Sequence, residues 1–209
     1  MANESFLDTA RWYDPLLEGV LGGLRAMAAR VVPPKKGMKV LDVGCGTGAQ
    51  LAIYQEGGCE VSGIDLSTPM LKVAKSKLGE KAALTNGDAI RMPHPNDTFD
   101  LVLSSLFLHQ INAPLRSAVL EETMRVLKPD GQILLIDFHP LEARSIKGQL
   151  TYYFISTIEF FAGWEHFSNS RDFLSRGGIP KLAKGQGLKI RKTFVLGNGN
   201  LGVYLLRLA

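Results

Sequence analysis

VLDVGCGTGAQ, residues 40–50, places three glycines within five positions directly after an apolar run. The apolar run is typical of a buried strand, and a helical pattern begins again at Ala49. Glycine allows a tight turn and lets a ligand come close to the main-chain N–H groups. The stretch therefore predicts a ligand-binding turn at Gly44, Gly46 and Gly48, at the carboxyl edge of a parallel sheet.

The chain on either side of this turn alternates short apolar strands with amphipathic helices. The predicted strands cover residues 38–43, 61–64, 82–84, 99–104 and 132–138. The predicted helices cover residues 15–31, 49–55, 68–77 and 114–127, with Asp14 as the cap of the first. This alternation predicts an α/β fold, a Rossmann-like doubly wound sheet that is mostly parallel, with helices on both faces.

The last third of the chain departs from this pattern. Residues 139–180 form a long excursion rich in aromatic residues, and a helix is predicted over residues 171–184. Two further strands, 188–196 and 201–208, are separated by the turn sequence GNGN at residues 197–200. Glycine and asparagine tolerate the positive φ of tight reversals, so these strands are expected to form an antiparallel hairpin.

Composition is typical of a soluble globular protein, with 45% hydrophobic and 21% charged residues among 209. No apolar stretch approaches the length of a membrane span and the N-terminus lacks a secretory pattern, so we expect one cytoplasmic domain. Cys45 and Cys59 form no CxxC or Cys/His cluster; they are expected to be buried, and no metal site is predicted.

The formal net charge of +4 is too small to indicate nucleic-acid binding. Five cations nevertheless cluster near the C-terminus: Lys181, Lys184, Lys189, Arg191 and Lys192. This cluster is either an ordinary solvated surface or a peripheral contact with an anionic membrane.

Two carboxylates narrow the class of ligand. Asp65 follows Gly44 by 21 residues and ends the second predicted strand, where an acid can accept hydrogen bonds from a ribose. Asp42 stands just before the glycines, where it would repel a pyrophosphate but could hold an ammonium group. The residues therefore favour a nucleoside with a zwitterionic tail over a nicotinamide dinucleotide.

At these positions the chain resembles the class I S-adenosylmethionine-dependent methyltransferases. Five motifs carry the resemblance: VLDVGCGTG at 40–48, GID at 63–65, NGDA at 86–89, FDLVLSS at 99–105 and LKPDGQILLID at 127–137. The resemblance implies a seven-stranded sheet with an antiparallel C-terminal hairpin, and S-adenosyl-L-methionine as the methyl donor. It also implies the cofactor-binding residues, namely Asp42, Gly44, Gly46, Gly48, Asp65, Leu66, Met70, Asp88, Ala89, Ser104 and Ser105.

Candidate catalytic residues are few. His139 leaves the C-terminal end of the fifth predicted strand, at the ligand-binding edge. Tyr13, in RWYDPLL, resembles the Tyr-Asp that precedes the core of quinone and phospholipid methyltransferases. His94 is expected in an exposed loop, whereas His109 either lines the pocket or is a packed, hydrogen-bonded histidine.

The acceptor must be inferred from what covers the pocket. We expect residues 1–34 to form a lid, 35–138 the cofactor-binding core, 139–180 a substrate-covering excursion and 181–209 the closing hairpin. The aromatic excursion looks like that of small bacterial phospholipid N-methyltransferases, which favours the amine of phosphatidylethanolamine as acceptor. Ordinary core packing would explain the same aromatic residues.

Other functions stay open from the sequence alone. Quinone-ring C-methylation, or methylation of another small molecule, is the main alternative to the phospholipid amine. Two hypotheses from other functional classes are a noncatalytic nucleoside-binding module and an NAD-dependent oxidoreductase.

Overall fold

The computed structural model describes residues 22–140 and 145–209, and the side chains at 154, 155 and 158–162 are not described. The first described element is a helix, α1, over residues 22–31. The predicted start of this helix near Asp14 lies outside the described residues.

Seven strands form one sheet in the order β3-β2-β1-β4-β5-β7-β6. The strands are β1 (Lys39–Val43), β2 (Glu60–Asp65), β3 (Ala83–Asn86), β4 (Phe99–Ser105), β5 (Leu127–Phe138), β6 (Lys189–Leu196) and β7 (Leu201–Arg207). The first five strands pair in parallel, and β7 runs antiparallel to both β5 and β6. The predicted Rossmann-like sheet and its closing hairpin are confirmed.

Helices α2 (Ala49–Glu56), α3 (Thr68–Leu78) and α4 (Ala113–Val126) connect the parallel strands. The side chain of Ser67 caps α3 by accepting a hydrogen bond from the Met70 N–H, and Asn112 caps α4 in the same way through the Leu115 N–H. Each of these two helices also has proline in its first turn, where no N–H partner is lost.

Strand β5 begins five residues earlier than the sequence predicts. Leu127 already pairs with Phe99, and a register shift between Phe99 and Leu101 then brings Gln132 opposite Leu101. A bulge of this kind inserts residues into one strand without ending the ladder. The loop-like composition of KPDG, residues 128–131, concealed the early start of the strand.

Three helices occupy the last third: α5 (Ile146–Ala162), α6 (Trp164–Ser175) and α7 (Gly178–Gly185). The prediction of one helix over residues 171–184 is therefore wrong. Gly177 and Gly178 both have positive φ, at 87° and 55°, and this pair ends α6 and begins α7.

The core lies on both faces of the sheet, and the central strands are almost completely buried. Cys45 and Cys59 are both free and buried, as expected. Within the described part of the chain, no helix has the length and apolar character needed to cross a membrane.

Candidate functional site

The three glycines between β1 and α2 all have positive φ, at 72°, 52° and 70° for Gly44, Gly46 and Gly48. A Cβ on Gly44 would lie 2.7 Å from Cγ of Phe107, and one on Gly48 would lie 2.8 Å from Cδ1 of Leu78. At these two positions a side chain would overlap neighbouring side chains, so glycine fits the packing around the loop. Only Gly46 faces space, because a Cβ there meets no non-neighbouring heavy atom of the described residues within 4 Å.

The Asp65 carboxylate is held by main-chain donors on both oxygens. Oδ2 accepts a hydrogen bond of 2.8 Å from the Gly46 N–H, and Oδ1 accepts one of 2.7 Å from the Ser67 N–H. The Asn86 amide donates to the carbonyl oxygens of Asp65 and Leu66, at 3.1 and 2.9 Å. The acid is thus fixed at the carboxyl edge of β2 with lone pairs left on both oxygens.

Asp42 is buried near the same loop, with 2% of its surface exposed. Its Oδ1 has no hydrogen-bond partner among the described residues. Burial raises the pKa of Asp42 to about 8, the Asp65 charge adds to this effect, and the Arg25 charge opposes it. A buried acceptor without a donor suits a cationic ligand group, which would favour the charged carboxylate.

Four more residues predicted to bind the cofactor, Leu66, Met70, Asp88 and Ala89, follow strands β2 and β3. Leu66 is 69% exposed although it is apolar and directly follows Asp65, and Met70, in the first turn of α3, is half-buried. Asp88 is exposed and caps a turn, since its Oδ1 accepts a hydrogen bond of 3.1 Å from the Ile90 N–H, whereas Ala89 is buried.

The two serines at the end of β4 differ in their surroundings. Ser104 is buried and its hydroxyl donates to the Val43 carbonyl oxygen at 3.0 Å, so it joins β4 to β1. Ser105 is half-buried. The next residue, Leu106, has a φ of 53°, a strained value for a residue with a side chain.

His109 is a packed, hydrogen-bonded histidine, the second of the two expected roles. Its ring stacks on Phe138 with 4.2 Å between centroids, and its Nδ1 lies 2.6 Å from Oδ1 of Asp137. Asp137 also accepts a hydrogen bond from the His109 main-chain N–H at 3.2 Å. Both residues are buried, and Asp137 was not singled out from the sequence.

His139 lies where predicted, at the carboxyl end of β5. Its Nδ1 is hydrogen-bonded to the Tyr204 hydroxyl, and its main-chain N–H donates to the Asn200 carbonyl oxygen at 2.8 Å. Burial raises the pKa of Tyr204, with a smaller contribution from the Asp137 charge, so the phenol stays protonated. Tyr13 lies outside the described residues.

The prediction that His94 is exposed is wrong. Its ring is half-buried and packs edge-on against Phe99 with 5.0 Å between centroids. This burial, together with the Arg125 charge, lowers the pKa of His94.

Arg116 fixes α6 to the core and was not identified from the sequence. The sequence predicts an apolar face on α4, but Arg116 and Thr123 are among its buried residues. The Arg116 guanidinium donates to the Leu108 and Asn169 carbonyl oxygens at 3.0 and 2.6 Å, and to Oδ2 of Asp172 at 2.8 Å. It also lies over the Phe173 ring, 5.0 Å from the centroid.

The described aromatic side chains of the excursion differ in burial. Tyr153 and Trp164 are 66% and 72% exposed, whereas Phe173 is buried. The five clustered cations predicted near the C-terminus lie exposed on α7 and β6. Their contact with an anionic membrane stays a prediction.

Three local features fit S-adenosylmethionine as the ligand of this edge. Asp42 has a buried acceptor oxygen without a hydrogen-bond partner among the described residues, and a side chain at Gly46 would meet no close neighbour. A main-chain hydrogen bond fixes the Asp65 carboxylate, and the exposed side chain of Leu66 follows it in the chain. Such a set suits an ammonium group, a close main-chain approach, a ribose and an adenine.

Residues 41–135 match the protein family described as "Methyltransferase domain". The demethylmenaquinone methyltransferase of Bacillus subtilis (strain 168) is 30% identical over an alignment 181 residues long, which covers 79% of this chain and 77% of that protein. The protein of the same name from Clavibacter sepedonicus is 34% identical over 116 residues, 54% of this chain. That match spans about half of the relative's length, 46%.

Solved structures share the fold at lower identity. A TehB-like S-adenosylmethionine-dependent methyltransferase from Corynebacterium glutamicum has a TM-score of 0.68 at 19% identity and covers 99% of this chain and 100% of its own. A methyltransferase of the same cofactor dependence from Aquifex aeolicus has a TM-score of 0.62 at 22% identity, over 87% and 88% of the two chains. Together with the family match and the Bacillus relative, these findings show that the chain belongs to the class I S-adenosylmethionine-dependent methyltransferases.

Proposed function

We propose that this methyltransferase methylates a ring carbon of a quinol, with reduced demethylmenaquinone as the model acceptor. The observation that carries the proposal is the 30% identity with the Bacillus subtilis demethylmenaquinone methyltransferase over 79% of this chain. The amine of phosphatidylethanolamine, which the sequence favoured, has no support among the relatives reported above. The quinone ring, the alternative, is the better-supported acceptor.

The cofactor would lie across the carboxyl edge of β1 and β2. Asp65 would accept hydrogen bonds from the ribose hydroxyls on the lone pairs that the Gly46 and Ser67 N–H groups leave available. Leu66, Met70, Asp88 and Ala89 would contact the adenine side, and Asp42 would face the ammonium group. When bound, S-adenosylmethionine supplies a methyl group on a sulfonium, whose sulfur takes the electron pair of the broken S–C bond.

The loop glycines and the end of β4 would surround the methionine part of the cofactor. Gly46 supplies the open approach, while Gly44 and Gly48 leave room for the Phe107 ring and for α3 beside the loop. Ser105 would contact the same part. The Ser104 hydroxyl, which already donates to the Val43 carbonyl oxygen, would act by joining β4 to β1.

An aromatic ring carbon attacks a methyl group efficiently only when an oxygen on the ring carries negative charge, which requires the loss of a proton. His139 is the candidate to contact that oxygen, because it leaves β5 at the ligand-binding edge of the sheet and is half-buried. In the tautomer that carries its hydrogen on Nδ1, the imidazole donates to the Tyr204 hydroxyl oxygen, which fixes its orientation, and the lone pair of Nε2 would take the proton of the quinol. An amine acceptor, in contrast, would need no such group, since a neutral amine attacks unaided.

A competition experiment tests the proposal. The protein is incubated with methyl-labelled cofactor and two acceptors together, reduced demethylmenaquinone with a short side chain and phosphatidylethanolamine, each dispersed in detergent. We expect label in the quinol fraction alone. Label in the phospholipid alone would restore the acceptor that the sequence favoured, and cofactor binding without transfer to either acceptor would contradict the proposal.

A further inference from the structure

Gln50 is a buried polar residue with no role in the site described so far. It lies in the first turn of α2, two residues after Gly48, and is 5% exposed. Its Nε2 donates to the Arg25 carbonyl oxygen of α1 at 3.5 Å, but its Oε1 has no hydrogen-bond partner among the described residues. Buried amide oxygens normally accept a hydrogen bond, so an unpaired one indicates that a ligand or a water supplies the donor.

The orientation of the amide follows from its one hydrogen bond. Rotating the group by 180° would place Oε1 against the Arg25 carbonyl oxygen, and two acceptors would then face each other. Nε2 therefore points toward α1, and Oε1 points away from that carbonyl.

A second unpaired acceptor, Oδ1 of Asp42, lies at the other end of the glycine loop. Asp42 precedes Gly44 and Gln50 follows Gly48, so the two residues bracket the turn on its strand side and on its helix side. Both side chains are more than nine-tenths buried. The loop thus has two buried oxygens, one from a carboxylate and one from an amide, and neither has a donor among the described residues.

Tyr54 lies on the face of α2 that carries Gln50, and this face packs on α1. It follows Gln50 by one helical turn. Its hydroxyl lies 3.4 Å from the Ala28 carbonyl oxygen of α1 and 3.0 Å from the carbonyl oxygen of Val32, directly after that helix. The Asp42 charge contributes to the raised pKa of Tyr54, after the larger effect of burial. The Arg25 charge in turn acts on Asp42. These effects agree with the geometry, in which the glycine loop joins Asp42 near the end of β1 to Gln50 at the start of α2.

We propose that Oε1 of Gln50 accepts a hydrogen bond from the α-ammonium group of the cofactor, beside Asp42. A primary ammonium group has three N–H donors and a positive charge, so it can satisfy a carboxylate and a neutral acceptor together. The inference rests on the cofactor part of the proposed function and is independent of the acceptor.

The test compares two ligands on two variants. The ligands are S-adenosylhomocysteine and its analogue in which hydrogen replaces the amino group, and the variants are Gln50→Met and Gln55→Met. Methionine has a volume close to that of glutamine and no strong acceptor. Gln55 is the matched control, because it lies on the same helix and its amide donates to the Leu78 carbonyl oxygen at 3.0 Å, on the side of α3.

For Gln50→Met we expect S-adenosylhomocysteine binding to weaken about tenfold, as for the loss of a hydrogen bond to a charged group. Binding of the deaminated analogue should change less than about twofold, because the lost partner is absent from that ligand. Gln55→Met should bind both ligands like the wild type. The melting temperature of unliganded Gln50→Met, measured alongside, shows whether the variant is folded.

Equal weakening of both ligands by Gln50→Met would overturn the inference, since Gln50 would then act through the position of α1. Unchanged affinity for S-adenosylhomocysteine would overturn it as well, as expected if a buried water satisfies Oε1. Failure of the wild-type protein to bind S-adenosylhomocysteine is a different result, and it would contradict the cofactor part of the proposed function.

Discussion

The main-chain nitrogen of Gly46 lies 2.8 Å from Oδ2 of Asp65, so a hydrogen bond joins the loop after β1 to the acid at the end of β2. The two residues are 19 positions apart. The Ser67 N–H holds the other carboxylate oxygen. A carboxylate held on both oxygens has a fixed orientation, which lowers the entropic cost of binding a ligand.

Asp65→Ala should weaken binding of S-adenosylhomocysteine by about 100-fold, because the charge-assisted hydrogen bonds to the ribose are lost. The melting temperature should also fall, since the Gly46 and Ser67 N–H groups lose their acceptor. Titration calorimetry and thermal unfolding measure the two effects. An affinity that matches the wild type would remove Asp65 from the cofactor site.

Two glycine substitutions should separate packing from ligand access. Gly46→Ala should cost about 1–2 kcal/mol of stability, because its φ of 52° is unfavourable for alanine while a Cβ meets no close neighbour. Gly48→Ala should cost about 1–3 kcal/mol more, because its Cβ would also overlap Leu78. Chemical denaturation gives both values.

The affinity for the cofactor then shows whether the ligand approaches the main chain at Gly46. In Gly46→Ala the loss of binding free energy for S-adenosylhomocysteine should exceed the loss of free energy of unfolding. Equal stability losses in the two variants would contradict the open space at Gly46. Wild-type affinity in Gly46→Ala would contradict a close approach of the cofactor to this position.

Asp42 should make the stability of the unliganded protein depend on pH. Its pKa is raised from 3.8 to about 8, so between these values the folded protein binds more protons than the unfolded chain. Its contribution to stability therefore falls as pH rises from about 4 to 8, by up to about 1.4 kcal/mol per pH unit. Asp42→Asn removes this contribution.

Urea unfolding of the wild type and Asp42→Asn at pH 5, 6, 7 and 8 measures the difference. The variant should gain stability relative to the wild type at each step upward in pH. Parallel stability curves would show that Asp42 ionises in the folded protein as it does in the unfolded chain.

Arg116→Lys should destabilise the protein by about 3 kcal/mol, because lysine cannot donate to three separately placed acceptors as the buried guanidinium does. Amide hydrogens of α6 should exchange faster, since this helix supplies Asn169 and Asp172. The control is Arg176→Lys, which changes an exposed partner of the same Asp172 and should cost less than about 1 kcal/mol. Equal costs would show that the buried contacts do not hold α6.

His139→Asn should lower kcat about 100-fold or more, because the imidazole that contacts the acceptor is lost. The affinity for S-adenosylhomocysteine should stay within about twofold of the wild type.

Tyr204→Phe keeps the ring but removes the hydroxyl that is hydrogen-bonded to Nδ1 of His139. This variant should lower kcat less than His139→Asn and shift the pH profile of kcat. Steady-state rates and calorimetry test both variants. A parallel loss of affinity and rate in His139→Asn would assign the residue a structural role.

The strands, the C-terminal hairpin and the glycine turn could be predicted from the sequence, because the periodicity of apolar residues and the spacing of glycines are local signals. The split between α6 and α7 was missed because a two-residue Gly177-Gly178 break is short compared with the helical pattern around it. The burial of Arg116 and the pairing of His109 with Asp137 depend on contacts between distant segments, which periodicity does not report. The roles of Gly44 and Gly48 likewise depend on Phe107 and Leu78, which only the folded chain brings beside them.

The chemical position of the transferred methyl group tests most directly whether this methyltransferase methylates a ring carbon of a quinol. The protein is incubated with ¹³C-methyl-labelled S-adenosylmethionine and reduced demethylmenaquinone, and the product is examined by carbon NMR. We predict a methyl signal bonded to an aromatic ring carbon of the quinol. A methyl group on oxygen, or no transfer by protein that binds the cofactor, would contradict the assignment.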